Sequence, residues 1–153
     1  MSRSKSLAKG AIAGLIGGIV ATAAKTAAER IYPPQAHGKR ETPALLKRKI
    51  AGRQLTIRQR EVAQTTIHWG LGAATGAAYG VVAEFYPAAT AKQGASFGMA
   101  FAAATQDGAL PALGLATAPA DKSTREKSSE LVSYVVYGVV TETVRSIVRR
   151  MID

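Results

Sequence analysis

Apolar and small residues fill four blocks of this chain, and charged residues fall between them. In the first block, 15 uncharged residues, GAIAGLIGGIVATAA, lie between Lys9 and Lys25. That is shorter than the ~20 residues a helix needs to cross a bilayer, so both lysines would have to turn their heads outward. A helix over about 6–31 is long enough, and Tyr32-Pro33-Pro34 ends it. Basic residues before an apolar run also suit a signal peptide. Lys25, Glu29 and Arg30 follow with no convincing cleavage site, so the stretch is read as structure.

The second block opens on a capping-box spacing, Thr56 with Gln59, and runs without a break to Tyr86-Pro87. Between Glu61 and Glu84 lie 22 uncharged residues, which makes a helix over 57–86 the clearest membrane-spanning candidate. Trp69 and Tyr86 fall where opposite interfaces would be. The third block, 93–120, is interrupted at Gln106-Asp107-Gly108 and at Pro111. It reads as one broken span or as a re-entrant hairpin shielded by protein.

The fourth block starts at a second capping box, Ser123 with Glu126, and predicts a helix over 124–152. Leu131, Val132, Val135, Val136, Val139, Val140, Val144, Ile147, Val148 and Met151 form a one-sided apolar stripe, with Ser133, Tyr137, Glu142, Arg145 and Arg149 on the other face. Only 11 residues separate Glu130 from Glu142, so this is the weakest span, suited to an interface or a partner. Together the blocks predict an all-α fold. It is a single membrane domain of three to four helices, with a basic loop over 32–56 that holds a short helix.

Glycines recur at four-residue steps inside three of these blocks: Gly10, Gly14 and Gly18; Gly72, Gly76 and Gly80; and Gly94 and Gly98, extended by Ala102. Residues four apart share a helix face. Glycine costs about 1 kcal/mol of helix propensity relative to alanine in water, which is sensible where backbones approach closely, as between membrane helices. An Ala/Gly-rich chain produces one such run by chance; three runs in separate apolar segments are a pattern.

Charge changes the picture next. The first 60 residues hold thirteen cations and two acids; the remaining 93 hold seven cations and eight acids. The densest part contains Lys39, Arg40, Lys47, Arg48, Lys49, Arg53, Arg58 and Arg60 with one acid, Glu41. Such a segment binds nucleic acid through phosphates or anionic lipid headgroups. It has no interleaved aromatic after Tyr32 and lies between membrane-like helices, so anionic headgroups are the expected partner and nucleic acid is not. The positive-inside rule puts this loop in the cytoplasm. If 93–120 re-enter, Arg145, Arg149 and Arg150 share its side; with a full third span they lie opposite.

Candidate chemistry is sparse. His68, Glu84, Asp107 and Glu142 are the polar residues placed within or beside apolar segments, where ionisable groups are functional candidates. Each also has a structural reading. Asp107 can cap a half-helix, His68 can make an ordinary hydrogen bond at an interface, and Glu142 can pair with Arg145 three residues on. No cysteine is present, which excludes a disulfide scaffold, a zinc–cysteine site and a thiol nucleophile. Two histidines are too few for a histidine-rich metal site. GLIGG and GLGAATG lack the βαβ setting of a dinucleotide fingerprint. No catalytic residue, metal or cofactor is expected.

The strings AAERIYPPQAHG, LTIRQ, IHWGLGAATGAAYGVVAE, DGALPALGL and SELVSYVVYGVVTETVR resemble the YagU-like family of bacterial inner-membrane proteins, over about Gly10 to Arg149. The resemblance implies a small integral protein of the bacterial cytoplasmic membrane with no assigned activity, and it carries over no catalytic residues. The expectation is a non-enzymatic accessory or structural subunit, assembling as a homo-oligomer or in a larger membrane complex, with the glycine faces as contacts. A small channel or transporter using Asp107 at a broken helix is the alternative, and a soluble basic nucleic-acid binder a distant third.

Overall fold

The computed structural model describes residues 3–33, 56–105 and 123–153. Among these residues the fold is all helical, with no strand. Helix α1 spans Arg3–Ile31, α2 Ile57–Phe85, α3 Ala95–Ala103 and α4 Thr124–Met151. A 3-10 segment, Pro87–Gly94, joins α2 to α3.

Local chemistry sets the starts of α2 and α4. The Thr56 hydroxyl accepts from the Gln59 backbone N–H at 3.3 Å, while the Gln59 side chain accepts from the Thr56 N–H at 3.0 Å. Ser123 and Glu126 repeat this reciprocal arrangement, at 3.2 and 2.8 Å. Each box satisfies two N–H groups that a helix start leaves without partners. Glu126 in the first turn of α4 and Arg149 and Arg150 in its last turn complement the helix dipole.

Helix α1 packs along both α2 and α4, and α3 packs on α4. The pairings are antiparallel: Ser6 meets Glu84 and Thr26 meets His68, while Lys9 meets Asp153 and Tyr32 meets Ser129. The helices therefore follow one another in the order α2, α1, α4, α3. The start of α1 lies with the ends of α2 and α4. At the opposite end, α1 finishes and α2 and α4 begin.

This arrangement corrects two readings. Arg149 stands with Ser6 and Glu84, at the end opposite the join from α1 to α2. The version that puts it on the basic loop's side does not hold. Helices 4–31 and 124–151 are long and apolar enough to cross a membrane, whereas α2 does not reach the same hydropathy. Absence of charge misled here: Gln64, Thr65, Thr66, His68 and the glycines make α2 uncharged but only mildly apolar, whereas valines enrich α4.

The structure also decides which way α4 faces, which the stripe alone leaves open. Its polar face is the buried one. Ser133 is 1% exposed and Thr141 0%, with Tyr137, Glu142 and Arg145 buried beside them. On its apolar stripe Leu131 is 43%, Val132 49% and Ile147 52% exposed. Helix α1 is built the same way, with Ile12, Leu15, Ile16, Ile19 and Val20 outside and Ala13, Ala21 and Thr22 buried. The interior is small and polar, and the large aliphatic side chains point outward.

The apolar block 93–120 begins as α3. Its interruptions at 106–108 and at 111, including Asp107, lie outside the described residues, as do Lys39, Arg40, Lys47, Arg48, Lys49 and Arg53.

Candidate functional site

Two glycine seams and one file of charges organise the interior. In the first seam Gly10, Gly14 and Gly18 of α1 face Gly80, Gly76 and Gly72 of α2. A Cβ on Gly14 would stand 2.8 Å from the Gly80 Cα, and one on Gly76 would stand 2.6 Å from the Gly18 Cα. Contacts that short are excluded by van der Waals radii, so at these positions only hydrogen lets the two backbones meet. Thr22 closes the seam against Gly72, its hydroxyl turned back to the Gly18 carbonyl at 2.7 Å. The Gly72 carbonyl accepts from the Tyr137 hydroxyl at 2.6 Å, tying α4 to the pair.

The second seam joins α3 to α4. A Cβ on Gly98 would lie 2.9 Å from the Val135 Cα, and one on Gly138 would lie 2.8 Å from the Gly98 Cα. Gly94 meets Gly138 and the Glu142 Cβ, with φ of 83°, a backbone state glycine reaches without steric cost. The sequence-predicted glycines are thus used within a single chain, those of α1 and α2 against one another and Gly94 and Gly98 against α4. Their faces are occupied by the fold itself and are not free for a second subunit, which corrects the expectation that they form contacts between proteins. Gly17 (against Thr141 of α4) and Gly138 do the same work and were not singled out. Gly138 breaks a valine-rich run, and that interruption is a usable signal.

The charge file begins near the middle of the bundle. Gly17, at the midpoint of α1, lies against Thr141, so Glu142 is held at that depth. Arg145 donates to Glu142 from Nε at 2.7 Å and from Nη2 at 2.8 Å, and the Tyr79 hydroxyl donates to Glu142 at 2.8 Å. Arg145 Nη1 lies 3.9 Å from Glu84, which accepts from Arg149 Nε at 2.8 Å and from the Ser6 hydroxyl. Arg149 reaches on to Asp153, which lies 3.7 Å from Lys9. Signs alternate along Glu142, Arg145, Glu84, Arg149, Asp153 and Lys9, so three acids and three cations cancel. Buried charges are tolerable when paired and hydrogen-bonded in this manner. Asp153 lies beyond α4, where the Arg149 hydrogen bond and the nearby Lys9 hold its carboxyl below the usual value.

A second polar group lies at the other end. Lys25 pairs with Glu29 and sits 4.8 Å above the Tyr134 ring. His68 Nε2 is 3.2 Å from the Thr26 hydroxyl, and its ring meets Trp69 edge-on. Arg58 and Arg60, the described members of the basic cluster, are exposed at this end, as are Arg30, Arg125 and Lys127. Of the four polar candidates, Glu84 and Glu142 come together through Arg145, while His68 stays apart. The sequence reading placed Glu142 with Arg145; the links across 63 and 65 residues, Tyr79 to Glu142 and Glu84 to Arg149, have no local signal.

The profile of the family described as a protein of unknown function, DUF1440, matches residues 19–143. The matched stretch contains Gly72, Gly76, Gly80, Glu84 and Glu142. No curated protein and no solved structure matches the chain.

Proposed function

The chain belongs to the DUF1440 family, and from that premise we propose that it is a polytopic membrane protein without catalytic chemistry, a compact helix-packed subunit of a membrane assembly. The observation that carries this reading is the inverted polarity of α4, with Ser133, Thr141, Glu142 and Arg145 inside and Leu131, Val132 and Ile147 outside. In water, outward aliphatic side chains forgo the main driving force for folding. In hydrocarbon they are matched to the solvent, and small residues and internal hydrogen bonds supply the cohesion between helices.

Dimensions support the same reading. Lys9 and Lys25 are 16 positions apart on α1, about 24 Å at the helical rise. Each head is drawn outward, to Asp153 and to Glu29, which brings the charged levels close to the ~30 Å of a bilayer core.

The ionisable groups serve cohesion. Glu84, Glu142, Arg145 and Arg149 are engaged with one another across α2 and α4, and Tyr79 and Ser6 complete their bonding. Because the glycine seams are used internally, partner contacts fall on the outer apolar faces, for a second copy or for a larger complex. The basic segment around 32–60, at the end where α1 joins α2, holds the anionic headgroup layer. The YagU-like resemblance supports the bacterial inner membrane as the setting. A channel or transporter is a second reading, favoured by a carboxylate at mid-bundle depth and by Asp107 between apolar segments.

Alkaline carbonate extraction of membranes tests the first reading. The chain is expected to stay in the pellet and to dissolve only with detergent. Release into buffer would overturn it. Ion or proton flux into liposomes that is lost with Asp107→Asn would favour transport instead.

A further inference from the structure

After α2 the chain turns back into the bundle. Helix α2 finishes beside the start of α1, yet the hydroxyl of Tyr79, well inside that end, lies 3.5 Å from the Ala89 carbonyl. Gly94 then packs on Gly138 and the Glu142 Cβ, at the depth of Gly17 in the middle of α1. Gln93 and Lys92 immediately precede Gly94, so neither Cα is further than about 7 Å from it. Both residues are exposed, and neither side chain has a hydrogen bond or ion pair among the described residues. We propose that this turn is the contact for a membrane-spanning segment of a different protein, one that sets a carboxylate against Lys92. The proposal rests on the membrane reading above and narrows its partner contact to one surface and one chemistry.

The backbone is the first reason. Lys92 at φ 53° and Gln93 at 54° are left-handed, and Gly94 follows at 83°. Glycine reaches that state freely, whereas a side chain makes it costly. Space explains only Gly94, because a Cβ there would strike the Gly138 carbonyl. Lys92 and Gln93 bear the strain without a polar contact inside their own chain. Strain of this kind gathers where residues are kept for a task outside the packing.

Depth is the second reason. Irregular backbone at membrane depth is tolerated where protein or water covers it, and not against hydrocarbon. The exposed residues on either side of the turn, Ala88, Ala91, Met99 and Ala100, are apolar and give water nothing to bond. Protein is therefore the cover. Lysine can stretch its ammonium towards the headgroups, but glutamine has a shorter stem, with two donors and an acceptor to satisfy.

Charge is the third reason and selects the partner. In this half of the bundle Glu84, Glu142 and Asp153 are already matched by Arg145, Arg149 and Lys9. Lys92 is a cation in excess of that neutral set. A second copy brings the same matched set, with no acid among these to spare. A different protein has to supply the carboxylate, and a paired charge is tolerable at this depth where a lone one is not.

Native membranes holding the full tagged chain can be treated with a membrane-permeant carbodiimide, which joins an amine to a carboxylate already touching it. The expected product is an amide between Lys92 and an Asp or Glu in an apolar segment of another protein, located by peptide mass spectrometry. Without the reagent, that same protein is expected to co-purify in mild detergent with wild type, Lys92→Arg and Lys5→Gln, and to fall about tenfold with Lys92→Gln. Lys92 is exposed, so its replacement needs no repacking. The proposal is overturned if Lys92 forms no amide with a protein, if the amide is to a second copy of this chain, or if Lys92→Gln co-purifies the partner as well as wild type does. It also fails if Gln93→Cys in intact vesicles reacts with an impermeant maleimide as fast as Lys5→Cys, since that puts the turn in water. A chain absent from the membrane pellet defeats the membrane reading itself, an outcome distinct from one that inserts and makes no Lys92 amide.

Discussion

Arg145 grips Glu142 one turn away on the same helix through two bonds, Nε to Oε2 at 2.7 Å and Nη2 to Oε1 at 2.8 Å. Both are buried, so neither can lose its partner cheaply. Glu142→Ala leaves a guanidinium among small residues, and Arg145→Met leaves a carboxylate there. Each is expected to destabilise by about 3–5 kcal/mol, while the double change Glu142→Leu with Arg145→Met lies closer to wild type. Melting followed by circular dichroism in detergent separates these outcomes. A double variant as damaged as the sum of the singles would show that the pair has no mutual role.

The glycines divide by what stands opposite. A Cβ on Gly76 would meet Gly18 backbone at 2.6 Å, whereas one on Gly70 meets nothing within 4 Å. Gly76→Ala is expected to lower the melting temperature, and Gly76→Leu to prevent α1 and α2 from packing within a single chain. Gly70→Ala, in the same helix, is expected to be neutral or to raise stability by up to about 1 kcal/mol. If Gly76→Ala melts no earlier than Gly70→Ala, the seam is not limiting.

The start points and faces of the helices were legible because they depend on neighbours in sequence. Thr56 with Gln59 and Ser123 with Glu126 announce two helix starts, and four-residue glycine steps announce faces that approach closely. Periodicity in α4 correctly separates Leu131, Val132 and Ile147 from Ser133, Tyr137 and Glu142. It does not say which set faces inward, since that depends on the solvent. The partnership of Glu84 with Arg149 and Ser6 was not legible, because it is made by the antiparallel packing of α1 on α2 and α4. Nothing local announces the left-handed turn at Lys92 and Gln93 either.

Acid should loosen the contact between the start of α1 and the end of α4. Arg149, aided by Lys9, holds the Asp153 carboxyl below its usual value. A folded pKa below the unfolded one means the contribution is complete above the ordinary carboxylate value of ~3.9 and is lost as pH falls through the lower, folded value. Spin labels on Lys5→Cys and Ile152→Cys are expected to report one distance from pH 8 to about pH 5 and a broader distribution below about pH 4. With Asp153→Asn added, the acid dependence should shrink to what Glu84 contributes through Ser6 and Arg149. Broadening that begins near pH 6 would point to another group.

Antiparallel packing fixes a testable topology. Lys9 pairs with Asp153 at one end, while Thr26 meets His68 and Tyr32 meets Ser129 at the other. Ten of the chain's cations fall from Lys25 to Arg60, around the join of α1 to α2, so the positive-inside rule assigns that end to the cytoplasm. The chain has no cysteine, so a single introduced thiol is unique. In right-side-out vesicles, Lys5→Cys and Met151→Cys are expected to react with a membrane-impermeant maleimide, while Gln59→Cys and Arg125→Cys should react only after permeabilisation. The reverse pattern would keep the fold and invert its orientation. Labelling of Lys5→Cys and Gln59→Cys from one face would contradict the antiparallel crossing of α1 and α2, and with it the placement of the bundle across the bilayer.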